Sequence, residues 1–131
     1  MPTRPSPHPT EAELEALSVL WQRGPSTVRQ VHEALQADRK TSLTTTLKTL
    51  QVMTAKGSVV RSDGRPHRYT PAKPAAKTQV GLLKDLVQRA FDGSVQKMLI
   101  RAVEAGEMTG KELGEVHKVI DELRKQERGA K

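Results

Sequence analysis

Apolar residues recur at intervals of three and four positions through the first 57 residues, and this pattern predicts three short helices. The first begins at Thr10, which forms a capping box with the glutamate three positions later, and ends before Gly24. Ser26 or Thr27 caps the second, and the third ends at Gly57. Three short helices separated by tight turns are typical of a helix-turn-helix.

The third helix has two faces of different chemistry. It follows a turn predicted at 37–39, and one face is expected to pack on the core. The opposite face is rich in threonine, a weak helix former, beside a single cation. Such groups suit phosphate oxygens and base edges, so this helix is predicted to enter a DNA major groove. The core-facing set is Leu43, Leu47, Leu50 and Thr54, with Thr46 and Met53 at its margin, and the outer set is Thr41, Thr44, Thr45 and Lys48.

A hairpin is predicted after the third helix. Two strand-like segments, at 58–62 and 67–70, are joined by Asp63-Gly64, which favours a tight hairpin turn. Pro66 is expected to confine its strand to a sheet edge, because proline cannot donate to a ladder. A hairpin in this place is typical of the wing of a winged helix. The cationic and imidazole groups predicted on or near it are Arg61, Arg65, His67 and Arg68.

The second half of the chain is predicted to be helical after a linker at 71–76. One helix stops at Gly93, the next begins at Ser94 and breaks at 104–107, and the third starts with a capping box at Thr109. Three short amphipathic helices cannot form a core alone, which predicts a dimerisation module shared with a second copy. The predicted dimer contacts are Leu83, Leu86, Val87, Phe91, Met98, Leu99, Val116, Ile120 and Leu123.

These elements predict a mainly α fold with a small β-hairpin. The predicted divisions are a flexible N-terminal arm at 1–8, a winged helix-turn-helix domain at 9–72 and a helical dimerisation domain at 73–131. Aromatic residues are only 2% of the 131 residues, so the core is thin, which favours stabilisation by a partner subunit.

Charge is concentrated in the segment predicted to bind DNA. The net charge of +7 and the pI near 10.0 favour a polyanionic partner. Residues 39–68 hold seven lysines and arginines against one acid, Asp63. The predicted partner is therefore double-stranded DNA.

Several other classes of function are disfavoured by the sequence. The chain has no cysteine, and its four histidines fall on separate predicted elements, so no metal site or cofactor is expected. No nucleophile elbow, Gly-rich phosphate loop or paired-acid motif occurs, so the protein is not expected to be an enzyme. No membrane-spanning apolar run or secretory signal is present, which predicts a cytoplasmic location.

Four blocks of sequence, in order, resemble the penicillinase-repressor family. They are ELE…VLW at 13–21, GPxTVRxVHxxL at 24–35, TT…TLQ at 44–51 and RxHxYxP at 65–71, and the resemblance extends over about 8–125. It implies a bacterial transcriptional repressor with an N-terminal winged helix and a C-terminal dimerisation domain. It also implies a homodimer bound to a palindromic operator with TACA/TGTA-like half-sites.

The family's DNA contacts correspond to Thr44, Thr45 and Lys48 on the third helix and to Arg65 and His67 on the wing. Arg29 is either a phosphate contact, as in the family, or a solvated residue. His67 is either a wing contact or a surface residue. The complete predicted set of DNA-binding residues is Arg29, Lys40, Thr41, Thr44, Thr45, Lys48, Arg61, Arg65, His67 and Arg68.

The chain departs from the family at several positions. Leu43 stands where the family often has an aromatic residue, and Thr46 where it often has a hydrophobic one. In antibiotic-responsive members a sensor protease cuts an Asn-Phe bond, and Arg101-Ala102 occupies that place here. The resemblance also implies a membrane metallopeptidase sensor as a candidate partner, and the changed bond leaves open whether such a sensor cleaves this chain. The copper-responsive branch uses a C-terminal cysteine cluster, which this chain lacks.

An alternative hypothesis is a winged-helix module that binds another protein and makes no specific contact with DNA. A separate alternative is that the threonine-rich run at 41–49 is an ordinary exposed helix of low propensity. A protein-binding winged helix is expected to have an apolar or acidic third helix. The hydroxyl and cationic groups in this chain favour DNA.

Overall fold

The computed structural model describes residues 8–36 and 41–129. Residues 1–7 of the predicted arm, the predicted turn at 37–39 and the predicted contact Lys40 lie outside the described residues. The fold is mainly helical with a small antiparallel sheet, which confirms the predicted class. Its elements are α1 (Glu11–Arg23), β1 (Ser26–Thr27), α2 (Val28–Leu35), α3 (Leu43–Lys56), β2 (Val59–Arg61), β3 (Arg68–Pro71), α4 (Ala75–Ala90), α5 (Val95–Glu104) and α6 (Gly110–Gly129).

Polar caps fix the ends of the first three helices. The hydroxyl of Thr10 accepts from the N–H of Glu13, and Thr27 forms a complete capping box with Gln30. At α3 the N-cap is Ser42, and the helix ends at Gly57 in the left-handed conformation, with φ of 81°. The Gly57 termination agrees with the sequence, and Thr27 is the actual cap of the two candidates.

The hairpin belongs to a three-stranded sheet in the order β1-β3-β2. The two-residue β1 is too short to be predicted from sequence, and it pairs Ser26 with Tyr69. The prediction of an edge strand next to Pro66 is wrong, because β3 is the central strand and Pro66 lies in the loop before it. Outside the ladder, the missing N–H of Pro66 costs no sheet hydrogen bond.

The predicted tight turn at Asp63-Gly64 is also wrong, because the loop between β2 and β3 runs from Ser62 to His67. Ser62 closes it: its N–H donates to the carbonyl of Arg68 at 2.9 Å, and its Oγ accepts from the N–H of Arg68 at 2.9 Å. Nδ1 of His67 lies 2.8 Å from the Ser62 carbonyl, to which it donates. These three bonds stabilise a wider loop than Asp-Gly alone predicts.

The three helices and the sheet share one hydrophobic core. Met53 and Leu50 of α3 are fully buried in it, and β3 contributes Tyr69. This cluster determines how α3 is held and which of its faces is left to solvent. The core residues are Ala16, Leu17, Leu20, Val31, Leu50, Met53, Val59 and Tyr69.

The buried face of α3 is rotated from the predicted one, since Leu43 is 36% exposed. Thr46 can be buried because its hydroxyl lies 3.4 Å from the Ser42 carbonyl and 3.4 Å from Nδ1 of His32. The spacing of the leucines does not predict that Thr46 is buried, because spacing carries no information about the hydrogen bonds of a threonine hydroxyl. The buried residues of α3 are Thr46, Leu50 and Met53.

The chain divides into two compact units, Met1–Leu83 and Lys84–Lys131. The predicted functional boundary after residue 72 stays a prediction. Part of the predicted linker is structured, because Pro71 ends β3 and α4 begins at Ala75. Within the described residues, no helix is long and apolar enough to cross a membrane.

Caps also define the C-terminal helices. Ser94 caps α5, and at the start of α6 the Thr109 hydroxyl and the Glu112 carboxylate each accept from the other's N–H at 3.1 Å. Neither α5 nor α6 has a buried residue. Both helices therefore form, but their apolar side chains are not covered by other parts of the described chain.

Candidate nucleic-acid interface

A group of hydrogen bonds, which we call the polar joint, connects α2 to α3 through Gln36, His32, Thr41 and Thr46. Nε2 of Gln36 donates to the carbonyl of Thr41 and lies 3.2 Å from Nδ1 of His32, which is also 3.4 Å from the hydroxyl of Thr46. The joint therefore connects the end of α2, the segment before α3 and the first turns of α3. His32 is half-buried and lies within hydrogen-bond distance of both Gln36 and Thr46. Gln36 is not identified from sequence, because a glutamine at a helix end carries no signal of its own.

The exposed part of α3 contains three of the predicted DNA contacts, Thr44, Thr45 and Lys48, which we call the outer face. Oγ1 of Thr45 lies 2.9 Å from Oγ of Ser42, so this hydroxyl already has a partner at the helix cap. Thr41 does not share the face, because it precedes the cap and is half-buried. The prediction that Thr41 is a helical residue of this face is wrong.

The electrostatics of α3 favour an anionic partner. The helix contains no acid, and its two cations are Lys48 and Lys56. Nζ of Lys56 lies 2.8 Å from Oε1 of Glu13, so Lys48 is the helix cation without an ion pair among the described residues. The positive end of the helix dipole lies in the first turn beside Thr44.

Gln51 is a further exposed residue of this helix, outside the predicted set of DNA contacts. It follows Thr44 by seven positions, about two helical turns, and therefore lies on the same side of α3. A glutamine amide can donate to and accept from adenine in the major groove. The signal that could have identified it is this seven-residue spacing.

The wing residues point in different directions. Arg61 pairs with Tyr69 across the sheet and shares its face, whereas Arg68 is the neighbour of Tyr69 along β3 and lies on the opposite face. Arg65 is exposed in the loop. His67 is half-buried and uses Nδ1 to bind Ser62, which leaves Nε2 for any outside partner. The wing therefore presents cations on both faces and at the loop.

Arg29 is exposed in the first turn of α2. Among the described residues, no cluster of His, Asp and Glu could hold a metal ion.

Residues 9–122 match the model of the family described as penicillinase repressor. The chain belongs to the penicillinase repressor family. Its members are transcriptional repressors, not enzymes.

Two curated relatives of this family illustrate the similarity. The transcriptional regulator BlaI of Mycobacterium tuberculosis is 40% identical over 97 residues, covering 72% of this chain and 70% of the relative. The penicillinase repressor of Bacillus licheniformis is 26% identical over 121 residues, covering 88% and 91%. A solution structure of the monomeric form of B. licheniformis BlaI with the blaP half-operator aligns at a TM-score of 0.45, with 26% identity, 51% coverage of this chain and 83% of that chain.

The C-terminal residues predicted as dimer contacts of this penicillinase repressor homologue differ in exposure. Val87 is only 5% exposed in its own chain, and Phe91 and Met98 are half-buried. The other six are exposed and therefore available to a second molecule: Leu83, Leu86, Leu99, Val116, Ile120 and Leu123.

Proposed function

We propose that the protein is a homodimeric repressor that binds a two-fold symmetric operator and blocks transcription from the promoter beside it. The observation that carries this proposal is the outer face of α3, where hydroxyl groups and Lys48 are exposed on a helix that has no acid. Membership of the penicillinase repressor family supports the same function. The proposal puts the protein in the bacterial cytoplasm, where it meets chromosomal DNA.

In this proposal the first two turns of α3 enter the major groove. Thr44 and Lys48 are four positions apart and lie on one side of the helix, with Gln51 one turn further along. Hydroxyl, ammonium and amide groups are the ones that bind base edges there. Thr45 contributes mainly its methyl group, because its hydroxyl is within hydrogen-bond distance of Ser42.

The wing and the first turn of α2 would hold the DNA backbone. Arg65 is the most favourable phosphate contact, because it is exposed in a loop whose ends are held together by hydrogen bonds of Ser62 and His67. Arg29 is exposed one position after the start of α2. Phosphate contacts position the protein without specifying sequence. Specificity is therefore assigned to α3 and orientation to the wing.

A second copy of the chain would cover the C-terminal apolar residues. Large apolar side chains are exposed on all three helices, including Leu86 on α4, Leu99 on α5 and Ile120 on α6. Large exposed apolar patches mark interaction sites on soluble proteins, and in this proposal these side chains contribute to one. A two-fold dimer would present two α3 helices to half-sites about one DNA turn apart, roughly 34–36 Å.

The proposal is tested by equilibrium binding of the full-length protein to three duplexes: a TACA/TGTA palindrome, the same duplex with one half-site scrambled, and a fully scrambled control. Preference for the palindrome, with two protomers bound, is expected. Equal affinity for all three duplexes would refute the proposal and favour the alternative of a protein-interaction module.

A further inference from the structure

A cleft of about 810 Å³ lies between α3 and the first turns of α4, entirely within the unit Met1–Leu83. Its volume falls within the range of about 300–1,000 Å³ that is typical of small-molecule sites. It is distinct from Thr44, Thr45 and Lys48, none of which lines it. Its lining comprises His8, Pro9, Leu17, Val52, Ala55, Lys56, Gly57, Ser58, Lys73, Lys77, Thr78 and Gly81.

One side of the cleft is apolar. Leu17 of the core contributes to it, and α3 adds Val52 and Ala55. Val52 is 51% exposed. Covering it with an apolar ligand would remove that surface from water, and this favours binding by about 25 cal/mol per Å² buried.

The polar part of the cleft is cationic. Lys56, Lys73 and Lys77 line it, and no Asp or Glu of the described residues does. Lys56 is neutralised by Glu13, which lies outside the lining. Within the described part of the chain, Lys73 and Lys77 form no ion pair. Two positive charges are therefore uncompensated beside an apolar wall.

The hydroxyl groups of Ser58 and Thr78 add hydrogen-bond donors to the same lining. Ammonium and hydroxyl groups together suit a carboxylate or phosphate head group, because both bind anionic oxygens. An apolar wall with a few convergent polar groups is the usual composition of a ligand site.

We propose that this cleft binds a small amphipathic organic anion, with the anionic group at Lys73 and Lys77 and the apolar body against Val52 and Ala55. Because the cleft is lined by both α3 and α4, its occupant contacts the DNA-binding helix and the helix that leads into the C-terminal unit. Binding of the anion is then linked to DNA affinity. This linkage rests on the proposed repressor function, whereas binding of the anion does not.

The chain contains a built-in reporter for the cleft. Nε1 of Trp21, its single tryptophan, donates to the carbonyl of Lys73 at 3.3 Å. A ligand at Lys73 is therefore expected to change the emission of Trp21. The probes are octanoate and octyl phosphate as anions, with octanol and octylammonium as neutral and cationic controls.

Equilibrium dialysis of full-length protein against labelled octanoate measures binding, and Trp21 emission reports its location. Saturable binding of one octanoate per chain is expected, with octanol and octylammonium at least about tenfold weaker. Comparison of octanoate with octyl phosphate shows which head group is preferred. Equal binding of octanol and octanoate would overturn the proposal.

Variants test the location. The double variant Lys73→Gln/Lys77→Gln is expected to weaken octanoate binding at least about tenfold, since two charged partners are lost. Lys84→Gln is the matched control, because Lys84 is exposed on α4 outside the cleft. Val52→Asp is expected to abolish binding by placing an acid on the apolar wall. Unchanged octanoate binding in the double variant would contradict the site.

DNA binding separates the two proposals. Octanoate is expected to change the operator affinity of the wild type and to leave that of the double variant unchanged. If the double variant instead flattens the salt dependence of DNA binding and still binds octanoate normally, the two lysines are phosphate contacts and the ligand proposal fails. If octanoate binds as expected but no specific DNA binding exists, only the repressor proposal fails.

Discussion

Glu13 and Lys56 join the first turn of α1 to the last residue of α3, with Lys56 Nζ 2.8 Å from Glu13 Oε1 across 43 positions of sequence. The Glu13 side chain is 7% exposed and that of Lys56 is 21% exposed. Glu13 Oε2 also accepts from the Thr10 hydroxyl at 2.9 Å, so the helix cap and the ion pair share one carboxylate. The pair therefore helps to set the position of α3 against α1.

Breaking this pair should destabilise the DNA-binding unit. Lys56→Met keeps the aliphatic stem but leaves the Glu13 carboxylate without its cation, and should lower the free energy of unfolding by about 1–3 kcal/mol. Denaturant unfolding measures this. The control is Glu104→Ala, which removes an ion pair whose side chains are 68% and 61% exposed and should cost less than about 0.5 kcal/mol. Equal effects in the two variants would contradict the structural role of Lys56.

Thr44 should determine sequence specificity without supporting the fold. Thr44→Val keeps the shape and removes the hydroxyl, so discrimination between operator and random DNA should fall by about 1–3 kcal/mol with an unchanged melting temperature. The matched control is Thr49→Val, because the Thr49 hydroxyl donates to the Thr45 carbonyl at 3.0 Å inside the helix. Full discrimination in Thr44→Val would remove Thr44 from the interface.

Arg65 should contribute through phosphate charge. In a salt series, Arg65→Ala should flatten the slope of log K against log salt by about 0.9, because one fewer counterion is released. Arg124→Ala serves as the control, since Arg124 is an exposed cation on α6, far along the chain from the wing. A slope identical to that of the wild type would exclude Arg65 as a DNA contact.

The apolar face of α6 should hold the dimer. Ile120→Glu adds one negative charge where a partner is expected, and sedimentation at micromolar concentration should then show monomers. Gln126→Glu adds the same charge at an exposed polar position of α6 and should stay dimeric. The monomer should bind a full operator far more weakly, because two linked half-sites gain from high effective concentration. Monomeric wild-type protein would contradict the assembly.

A sensor protease selective for an aromatic residue after the cut should not cleave this chain. Ala102 offers no aromatic side chain to such a pocket, and Arg101-Ala102 lies within α5, which must open locally before cleavage. Arg101 also contacts Glu104 at 2.6 Å. Co-expression with a sensor from an antibiotic-responsive system, followed by mass spectrometry, tests this. A fragment ending at Arg101 would overturn the prediction.

Local signals in the sequence predicted the helices well. Caps such as Ser94, the reciprocal pair Thr109 and Glu112, and Gly57 each act within about one turn, so their residue types identify the helix ends directly. The outer face could be predicted for the same reason, because helical spacing alone separates Thr44 and Lys48 from the core.

Features that depend on distant contacts were not predictable. Nothing near Glu13 in sequence indicates Lys56 as its partner, and β1 exists only because two residues pair with β3. The Asp-Gly preference does not predict the width of the wing loop, because Ser62 and His67 close that loop with side-chain hydrogen bonds. Helical spacing places Thr46 only at the margin of the core face, since the burial of its hydroxyl depends on His32 of another helix.

The spacing between half-sites tests the central claim most directly. Affinity of the full-length protein is measured for palindromic duplexes that carry no insertion, five extra base pairs or ten extra base pairs between the half-sites. A two-fold dimer with one α3 per major groove requires both half-sites on the same side of the DNA, about 10–10.5 base pairs per turn. The proposal predicts that five base pairs abolish the preference over random DNA and that ten weaken it less. Equal affinity for all three spacings would contradict a homodimeric repressor.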